Sequence, residues 1–424
     1  MITALAVLFG LTLIGIPIAI AFGLTSALFI GQTGVPFTIF PVMMFDSLAN
    51  FILLALPLFM IAGEVSNRAG IAEQIVELVS SLFGWMRGGL AQCVTAGAMV
   101  FAEISGSSVA DAASLATILI PEMEARGYPK PFAAAITSSS ASLAIMIPPS
   151  IPLVLYGAIT EQSVAKMFVA GIVPGVLVGL ALMTFNYGFA LRFHWTPDGR
   201  FQIGRVVRAF LHGMAGLTLP VIIVGRILGG IFTPTEAAAF AVAVALAIGF
   251  FVTRRIGLSD LPEIILVAAK RTGIVLLLIS TSSVFSWYLT NEGIPDAIAQ
   301  RVIGISNNPY MIMFELNVLL LMLGTFLHGV AAIFFIVPLA LPIIKEIGYD
   351  PIHFGIILVL NIAIAQQIPP AAAVLMTVSA ISGCRVKDII SYNKWYMLCM
   401  FIMLQLVTYV PGLSLWLPFH LTTR

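Results

Sequence analysis

The first 45 residues contain no Asp, Glu, Lys, Arg or His, and this limits the fold more than any other feature of the chain. The stretch lacks the positively charged start of a secretory signal and is too long for one, so it predicts a first membrane segment. Of all 424 residues, 60% are hydrophobic and only 9% are charged, whereas a soluble domain has about 25% charged residues. These values predict a polytopic helical membrane protein without a separate soluble domain.

Apolar runs separated by charged or turn residues predict the ordinary membrane crossings. The runs cover about residues 2–30, 47–64, 165–191, 210–232, 235–252, 272–290 and 395–416. Basic residues are concentrated in two intervals, Arg192 to Arg208 and Arg254 to Arg271, and the positive-inside bias predicts that both are cytoplasmic. Two crossings separate these intervals and return the chain to the same side, so the charge pattern and the number of crossings agree.

Two further regions are too short to be pairs of ordinary crossings. Residues 90–104 and 107–122 flank the sequence ISGSS, Ile104 to Ser108, and each arm of roughly 15 residues is about 23 Å long as a helix. Because the hydrocarbon core is about 30 Å thick, this pair predicts a re-entrant hairpin with a Gly/Ser tip. A second hairpin is predicted from Tyr310 to Glu346, with Gly324, Thr325 and Gly329 at its turn.

A Pro-Pro pair follows each hairpin: IMIPPS ends at Ser150, and QQIPPA ends at Ala371. Paired prolines remove two amide donors and disfavour helical backbone in the residue before them, so both segments are predicted to be broken helices.

A constant offset of 221 residues also relates the two regions. The matched residues are Pro121 and Pro342, Gly127 and Gly348, Tyr128 and Tyr349, Pro148 and Pro369, and Pro149 and Pro370.

This offset predicts an internal structural repeat within one membrane domain, residues 1–424. Repeat one covers about 47–191, repeat two about 272–416, and connecting helices about 207–271. Paired interrupted segments in two halves indicate a secondary transporter with its site between the repeats. The predicted fold is therefore an all-α polytopic membrane protein with two inverted repeats, each containing a re-entrant hairpin and a Pro-Pro broken helix.

The sequence lacks the residues that several classes of function require. The net charge of +1 offers no basic face for nucleic acid, and no Walker A, HExxH or GxSxG sequence occurs. A membrane-embedded enzyme is disfavoured because no paired acids or His cluster has catalytic spacing. Cys93, Cys384 and Cys399 form no ligand spacing and are expected to be buried free thiols. Transport would therefore draw its energy from an ion gradient.

The first hairpin tip offers oxygen ligands of the kind that sodium prefers. Its candidates are Ser105, Gly106, Ser107, Ser108 and Asp111, and a tip also exposes free backbone carbonyls. An alternative is that Ser108 caps a helix with Asp111 at its third position, and the two interpretations can coexist. Four serines before the first break either pack closely or line the site: Ser138, Ser139, Ser140 and Ser142.

The second tip and break offer Gly324, Thr325 and Thr377, although a membrane threonine often bonds to its own helix. His328 is interpreted as a packing or water-facing histidine in preference to a proton relay. Glu103 is expected to face a cavity or the opposite hairpin arm.

Five motifs resemble one transporter family. They are GGIFTPTEAA (Gly229 to Ala238), FAEISGSSVADAA (Phe101 to Ala113), LIPEM (Leu119 to Met123), RGGLA (Arg87 to Ala91) and the two IPP breaks. Together they resemble the large membrane subunit of tripartite ATP-independent periplasmic (TRAP) transporters, the DctM-like family, over nearly the whole chain.

The resemblance implies an elevator-type, sodium-driven importer of an organic acid, which a periplasmic binding protein delivers. It implies a small DctQ-like membrane partner, no cofactor other than sodium as coupling ion, and a location in a bacterial or archaeal cell membrane, the inner membrane in a Gram-negative cell. The alternative is a related ion-coupled organic anion carrier that works alone.

The resemblance also implies two sodium sites with the substrate between them. One places the Ser105–Ser108 tip and Asp111 against Pro148, Pro149 and Ser150; the other places Gly324 and Thr325 against Pro369, Pro370 and Thr377. The chain departs from the family at His328, where an acid is common, and Arg226 and Glu103 are also unusual.

Overall fold

The computed structural model describes residues 2–197, 201–305, 308–327, 329–370 and 372–421. Twenty α-helices lie in this described part of the chain, and its only extended pairing is an isolated bridge between Arg87 and Pro197. The all-α fold class is therefore confirmed.

The helices of the described residues are numbered in chain order. The first ten are α1 (Ile2–Leu13), α2 (Ile18–Ile30), α3 (Ile39–Asp46), α4 (Ala55–Arg68), α5 (Ile71–Phe83), α6 (Gly89–Ser105), α7 (Ser108–Ala125), α8 (Lys130–Ala141), α9 (Ile151–Thr160) and α10 (Val164–Arg192). The next are α11 (Ile203–Leu228), α12 (Pro234–Ala247), α13 (Leu261–Asn291), α14 (Ile294–Ile305), α15 (Pro309–Gly324), α16 (Gly329–Glu346), α17 (Pro351–Ala365), α18 (Ala373–Ser382), α19 (Val386–Tyr409) and α20 (Gly412–Leu421). Among the described residues, six helices are long and apolar enough to cross a membrane, and the bent pair α19 and α20 is a seventh candidate.

Both hairpins and both broken helices are present as helix pairs. The pair α6 and α7 turns at 106–107, and the pair α15 and α16 turns between Gly324 and Gly329. Helix α8 continues as a 3₁₀ turn, Ser142–Ile145, before the first Pro-Pro pair, and α17 ends before the second. Helix α17 begins 221 residues after α8, so the sequence offset also relates elements of the structure. Inverted topology and re-entrant placement stay predictions.

Two predicted continuous crossings are divided. The run 2–30 forms α1 and α2, because Gly15 has φ +93° and Pro17 lacks an amide donor. The run 395–416 is bent by 56° between α19 and α20, where Pro411 interrupts the helix. Both breaks were missed in the sequence because the hydropathy of each run is uniform along its length.

Much of the interval from Arg254 to Arg271 is helical, although its polar sequence suggested a connection between membrane crossings. Helix α13 already begins at Leu261, and its 31 residues extend for about 46 Å. Its first turns therefore project beyond a hydrocarbon core of about 30 Å.

Packing divides the helices into an outer and a central group. In the outer group, α2, α3 and α4 pack on α13, α4 packs on α12, and α5 packs on α11. The central group is built around the two broken helices, since every residue is buried from Phe132 to Ala141 in α8 and from His353 to Ala365 in α17. Arm α7 packs on α18 and arm α16 packs on α9, so each hairpin contacts the broken helix of the other half.

Ion pairs join α4 and the start of α5 to the segment between Arg255 and Arg271. Arg68 at the end of α4 lies 2.9 Å from Glu263, and Arg271 lies 3.1 Å from Glu64. Arg255 pairs with Glu73 at 3.3 Å. These partly exposed pairs contribute little to stability, about 0–1 kcal/mol each, but they place the end of α4 and the start of α13 at the same face.

We expect the two basic intervals to be labelled from the same side of the membrane. In a Cys384→Ser background, Arg205→Cys introduces an exposed thiol in the first turn of α11, Ser259→Cys introduces one just before α13, and Glu292→Cys introduces one just after α13. An impermeant maleimide should label the first two only in inside-out vesicles and the third only in right-side-out cells. Labelling of Arg205→Cys and Ser259→Cys from opposite sides would contradict the topology.

Candidate functional site

The tip of the first hairpin lies directly against the first Pro-Pro break. Gly106 ends α6 with φ +58°, and a Cβ atom placed on it would lie 2.7 Å from the carbonyl oxygen of Pro149. Glycine is required here by both the left-handed backbone and the close approach. Pro148, Pro149 and Ser150 are all buried, so the structure brings together the tip and the break that the first predicted sodium site pairs.

Ser107 and Ser108 have different roles from those that a capping box would give them. Ser107 occupies the N-cap position and its carbonyl accepts a hydrogen bond from the Asp111 amide at 3.0 Å, so Ser108 is the first residue of α7. The predicted cap at Ser108 is wrong by one residue, because the extended backbone that precedes the helix falls on Ser107, with φ −130° and ψ 106°. Asp111 is 1% exposed, and Ser105 ends α6 with its side chain outside the described part.

Ser108 connects the first hairpin to the second break. Ser108 is 3% exposed, and its hydroxyl donates to Oε1 of Gln366 at 2.5 Å. Gln366 directly follows α17, three residues before Pro369. The first tip therefore contacts both breaks.

The tip of the second hairpin packs on the same short segment. A Cβ atom on Gly324 would lie 2.7 Å from Cβ of Ala365, and one on Gly329 would lie 3.3 Å from Nε2 of Gln366. Gln366 thus lies between the tips of the two hairpins.

The remaining residues of the second predicted sodium site make fewer contacts with one another than those of the first site. Thr325 donates to the Met322 carbonyl at 2.7 Å, and Thr377 donates to the Ala373 carbonyl at 2.8 Å. Pro369 and Pro370 are exposed, unlike their buried counterparts in the first break. No hydrogen bond between described residues joins Thr325 or Thr377 to the rest of this set. His328 and Ala371 lie outside the described residues.

A buried amide holds the two broken helices together. Gln367 is 0% exposed; its Oε1 accepts from Ser138 Oγ at 2.6 Å and from Asn393 Nδ2 at 3.3 Å. Its Nε2 donates to the Ser138 carbonyl at 2.7 Å and contacts Ser142 Oγ. Both ends of the amide are satisfied, as a buried polar group requires.

The other two serines extend this network into α6, α10 and α19. Ser139 donates to Asn393 Oδ1 at 2.5 Å, and Ser140 shares a hydrogen bond with Thr95 at 2.8 Å. Asn186 donates to Thr95 at 2.9 Å and accepts from Tyr396 at 2.7 Å. The serine run therefore joins helices through hydrogen bonds in addition to packing closely.

Sequence reasoning missed Gln366 and Gln367, although one signal could have found them. The offset of 221 aligns them with Ile145 and Met146 of the first broken helix. A pair of amides opposite a pair of apolar residues marks the point where the two halves differ chemically.

Helix termini give this centre a mixed electrostatic character. Helices α7, α9, α16 and α18 begin at the tips and breaks, and α6, α15 and α17 end there. The N-termini carry partial positive charge and the C-termini present free carbonyls. After the first break, Ser150 is the N-cap of α9, and its Oγ accepts a hydrogen bond from the Leu153 amide at 3.4 Å. The arrangement suits an anion beside small cations.

Glu103 lies on the first hairpin, and Arg226 lies near the end of α11. Glu103 lines a cavity of about 400 Å³ between α6, Pro148, α10 and α11, so the expectation that it faces a cavity is confirmed. The Arg226 guanidinium lies 5.9 Å from the centroid of the Phe232 ring. That cation–π contact gives Arg226 a partner within the chain.

The family model described as "Tripartite ATP-independent periplasmic transporter, DctM component" matches residues 5–413. The chain belongs to the DctM family.

Curated relatives of this DctM chain are named as transporter permeases. The isethionate TRAP transporter permease protein DctMQ of Oleidesulfovibrio alaskensis is 36% identical over 97% of this chain, which spans 66% of that relative's length. The C4-dicarboxylate large permease DctM of Pseudomonas aeruginosa is 37% identical over 88% of each chain. The sialic acid large permease SiaM of Vibrio cholerae is 32% identical over 96% of each chain. Such subunits are transporter components and not enzymes.

Solved structures agree on the fold. The Alcanivorax borkumensis YdaH transporter superposes with a TM-score of 0.64 at 13% identity, covering 90% of this chain and 89% of that one. Neisseria gonorrhoeae MtrF gives a TM-score of 0.51 at 12% identity, with 88% and 83% covered. The DctM chain is thus a multi-pass membrane protein with a transporter fold.

The contact between the first tip and the first break can be tested by adding a methyl group to Gly106. We expect Gly106→Ala to lower the free energy of unfolding by about 1–3 kcal/mol more than Gly127→Ala, because the new Cβ overpacks against Pro149. Gly127 is the matched control, since it has φ +82° but nothing within 4 Å of a Cβ. The left-handed backbone costs both variants about 1–2 kcal/mol.

Unfolding of the detergent-purified proteins measures the difference. An equal loss of stability in the two variants would mean that the tip does not touch the break.

Proposed function

We propose that this chain is the large permease subunit of a TRAP transporter that uses a sodium gradient to import an organic anion. The observation that carries the proposal is the meeting of two hairpin tips and two helix breaks around Ser108 and Gln366. Irregular backbone at membrane depth is tolerated where it lines a site or is buried in protein.

Neutral oxygens support sodium as the coupling ion. Among the described residues, no three His, Cys, Asp or Glu side chains form a possible metal cluster, so carbonyls and hydroxyls would supply most ligands. The hydroxyls of Ser108, Thr325 and Thr377 donate their protons to protein acceptors. A hydroxyl that donates its proton still has lone pairs for a cation.

Two sodium ions would occupy the two tip-and-break pairs. The first site would comprise Ser105, Gly106, Ser107, Ser108, Asp111, Pro148, Pro149 and Ser150, and the second Gly324, Thr325, Pro369, Pro370 and Thr377. The exposed second break would be the more accessible of the two.

The relatives' names support an organic anion as the substrate. They refer to isethionate, C4-dicarboxylate and sialic acid, and each of these compounds is an anion at neutral pH. Helix N-termini at both tips would attract such a charge.

Two partners complete the proposed transporter. This chain spans 66% of the relative named DctMQ, and we assign the remaining third of that relative to a small Q subunit, the first of the two partners. A periplasmic binding protein would deliver the anion at the inner membrane of a Gram-negative cell.

The packing supports an elevator movement. The central group, held together by Gln367, would slide against the outer group of α2, α3, α4, α5, α11, α12 and α13. The network of buried hydrogen bonds would let both breaks move together as one unit.

Uptake by the assembled complex tests the proposal. The chain, its small subunit and its binding protein are reconstituted in proteoliposomes with labelled isethionate, succinate and N-acetylneuraminate. We expect uptake of at least one anion with an inward sodium gradient and none when potassium replaces sodium at constant membrane potential. Undiminished uptake in potassium would refute sodium coupling, and full uptake without the small subunit and binding protein would favour the stand-alone carrier.

The acid at the first tip should set the sodium dependence. We expect Asp111→Asn to raise the sodium concentration for half-maximal uptake about tenfold, since one formal charge near the ion is lost. Asp260→Asn, at the start of α13, is the control and should leave it unchanged. Equal sodium dependence of the two variants would exclude Asp111 from the site.

A further inference from the structure

The hydrogen bond between Ser108 and Gln366 has no counterpart in the other half of the chain. The offset of 221 pairs Ser108 with Gly329 and Gln366 with Ile145. A glycine and an isoleucine form no side-chain hydrogen bond. The repeat alone therefore does not explain the bond, and the asymmetry points to a function that only one half performs.

The two adjacent glutamines differ in how completely they are satisfied. Gln367 is fully buried and uses both ends of its amide within the protein. Gln366 is half-buried, and its Oε1 accepts from Ser108. No described residue accepts a hydrogen bond from Nε2 of Gln366.

Ser108 and Gly329 fix the direction of this amide. Ser108 holds the oxygen at 2.5 Å, while the absence of a side chain at Gly329 leaves room for the nitrogen, 3.3 Å from where a Cβ would stand. The Nε2 donor therefore points away from Ser108, beside the start of α16.

The surroundings of this donor favour an anion. Helix α16 begins next to it, and the N-terminus of this helix carries partial positive charge. Pro369 and Pro370, three and four residues further on, are exposed, so the segment is accessible to a solute.

From this geometry we infer that Gln366 binds the acidic oxygen of the transported anion, a carboxylate or a sulfonate, through its Nε2 donor. Ser108 is the positioning residue that orients the amide. The inference rests on the proposed function and adds to it the side chain that recognises the substrate.

Anion affinity separates this role from a structural one. Gln366→Met keeps the length of the side chain and removes the donor, and Gln366→Glu places a negative charge against the anion. We expect the KM for the anion to rise about 10- to 100-fold in Gln366→Met, as for loss of a hydrogen bond to a charged group, and further in Gln366→Glu. The sodium concentration for half-maximal uptake should stay within twofold of wild type in Gln366→Met.

The assay uses the complete complex with labelled isethionate, succinate and N-acetylneuraminate. Gln162→Met is the matched control, because Gln162 lies in the turn after α9, and its KM should not change. Ser108→Ala should raise KM by a smaller factor, since the donor remains but loses its orientation. Thermal unfolding of each purified variant checks that the protein is folded.

An unchanged KM in folded Gln366→Met would overturn the assignment while leaving the proposed function intact. A fall in maximal rate with unchanged KM would also overturn it, because Gln366 would then serve the movement and not the substrate. Failure of the wild-type complex to take up any of the three anions would refute the proposed function itself.

Discussion

The buried amide of Gln367 is the interaction on which the rest of the central group depends. Helices in a membrane gain little from the hydrophobic effect when they associate, so close packing and hydrogen bonds must hold them together. Gln367 bonds with Ser138 through both its oxygen and its nitrogen, and it also reaches Ser142 and Asn393. The two broken helices are thereby fixed side by side, which sets the relative positions of their breaks.

The site follows from that alignment. Once the breaks are adjacent, each hairpin tip reaches them through a glycine, Gly106 against Pro149 and Gly324 against Ala365. Side chains at these positions would keep the tips away. The approach also brings helix N-termini and C-termini to the same place, so one small volume offers partial positive charge and free carbonyl oxygens. An anion would bind the partial positive charge in such a volume, and sodium ions would bind the carbonyl oxygens.

Much of the architecture could be predicted because it is encoded locally. The ISGSS tip and the Pro-Pro pairs interrupt helices through backbone chemistry that needs no partner, and both interruptions are present. The break at Gly15 and Pro17 was missed although its residues are local, because the apolar run around them is uniform. Hydropathy alone gave no reason to divide it.

The polar contacts of the site could not be predicted in the same way. Ser108 and Gln366 are 258 residues apart, and Ser138 and Gln367 are 229 apart. A serine near a helix start is compatible with a cap, a packing contact or an ion ligand, and only the position of the second half decides among these. The proline and glycine matches at offset 221 predicted the repeat, whereas Gln366 and Gln367, at which the two halves differ, were missed.

A double-mutant cycle between Gln367→Leu and Ser138→Ala tests most directly whether the amide joins the two halves. Each single variant removes the hydrogen bond between Ser138 Oγ and Gln367 Oε1 and should lower the free energy of unfolding by about 1–3 kcal/mol. The double variant should be more stable than the sum of the two losses by about 1–2 kcal/mol, because both partners are then gone. Losses that add to within about 0.5 kcal/mol would show that the two residues are independent and would contradict the account.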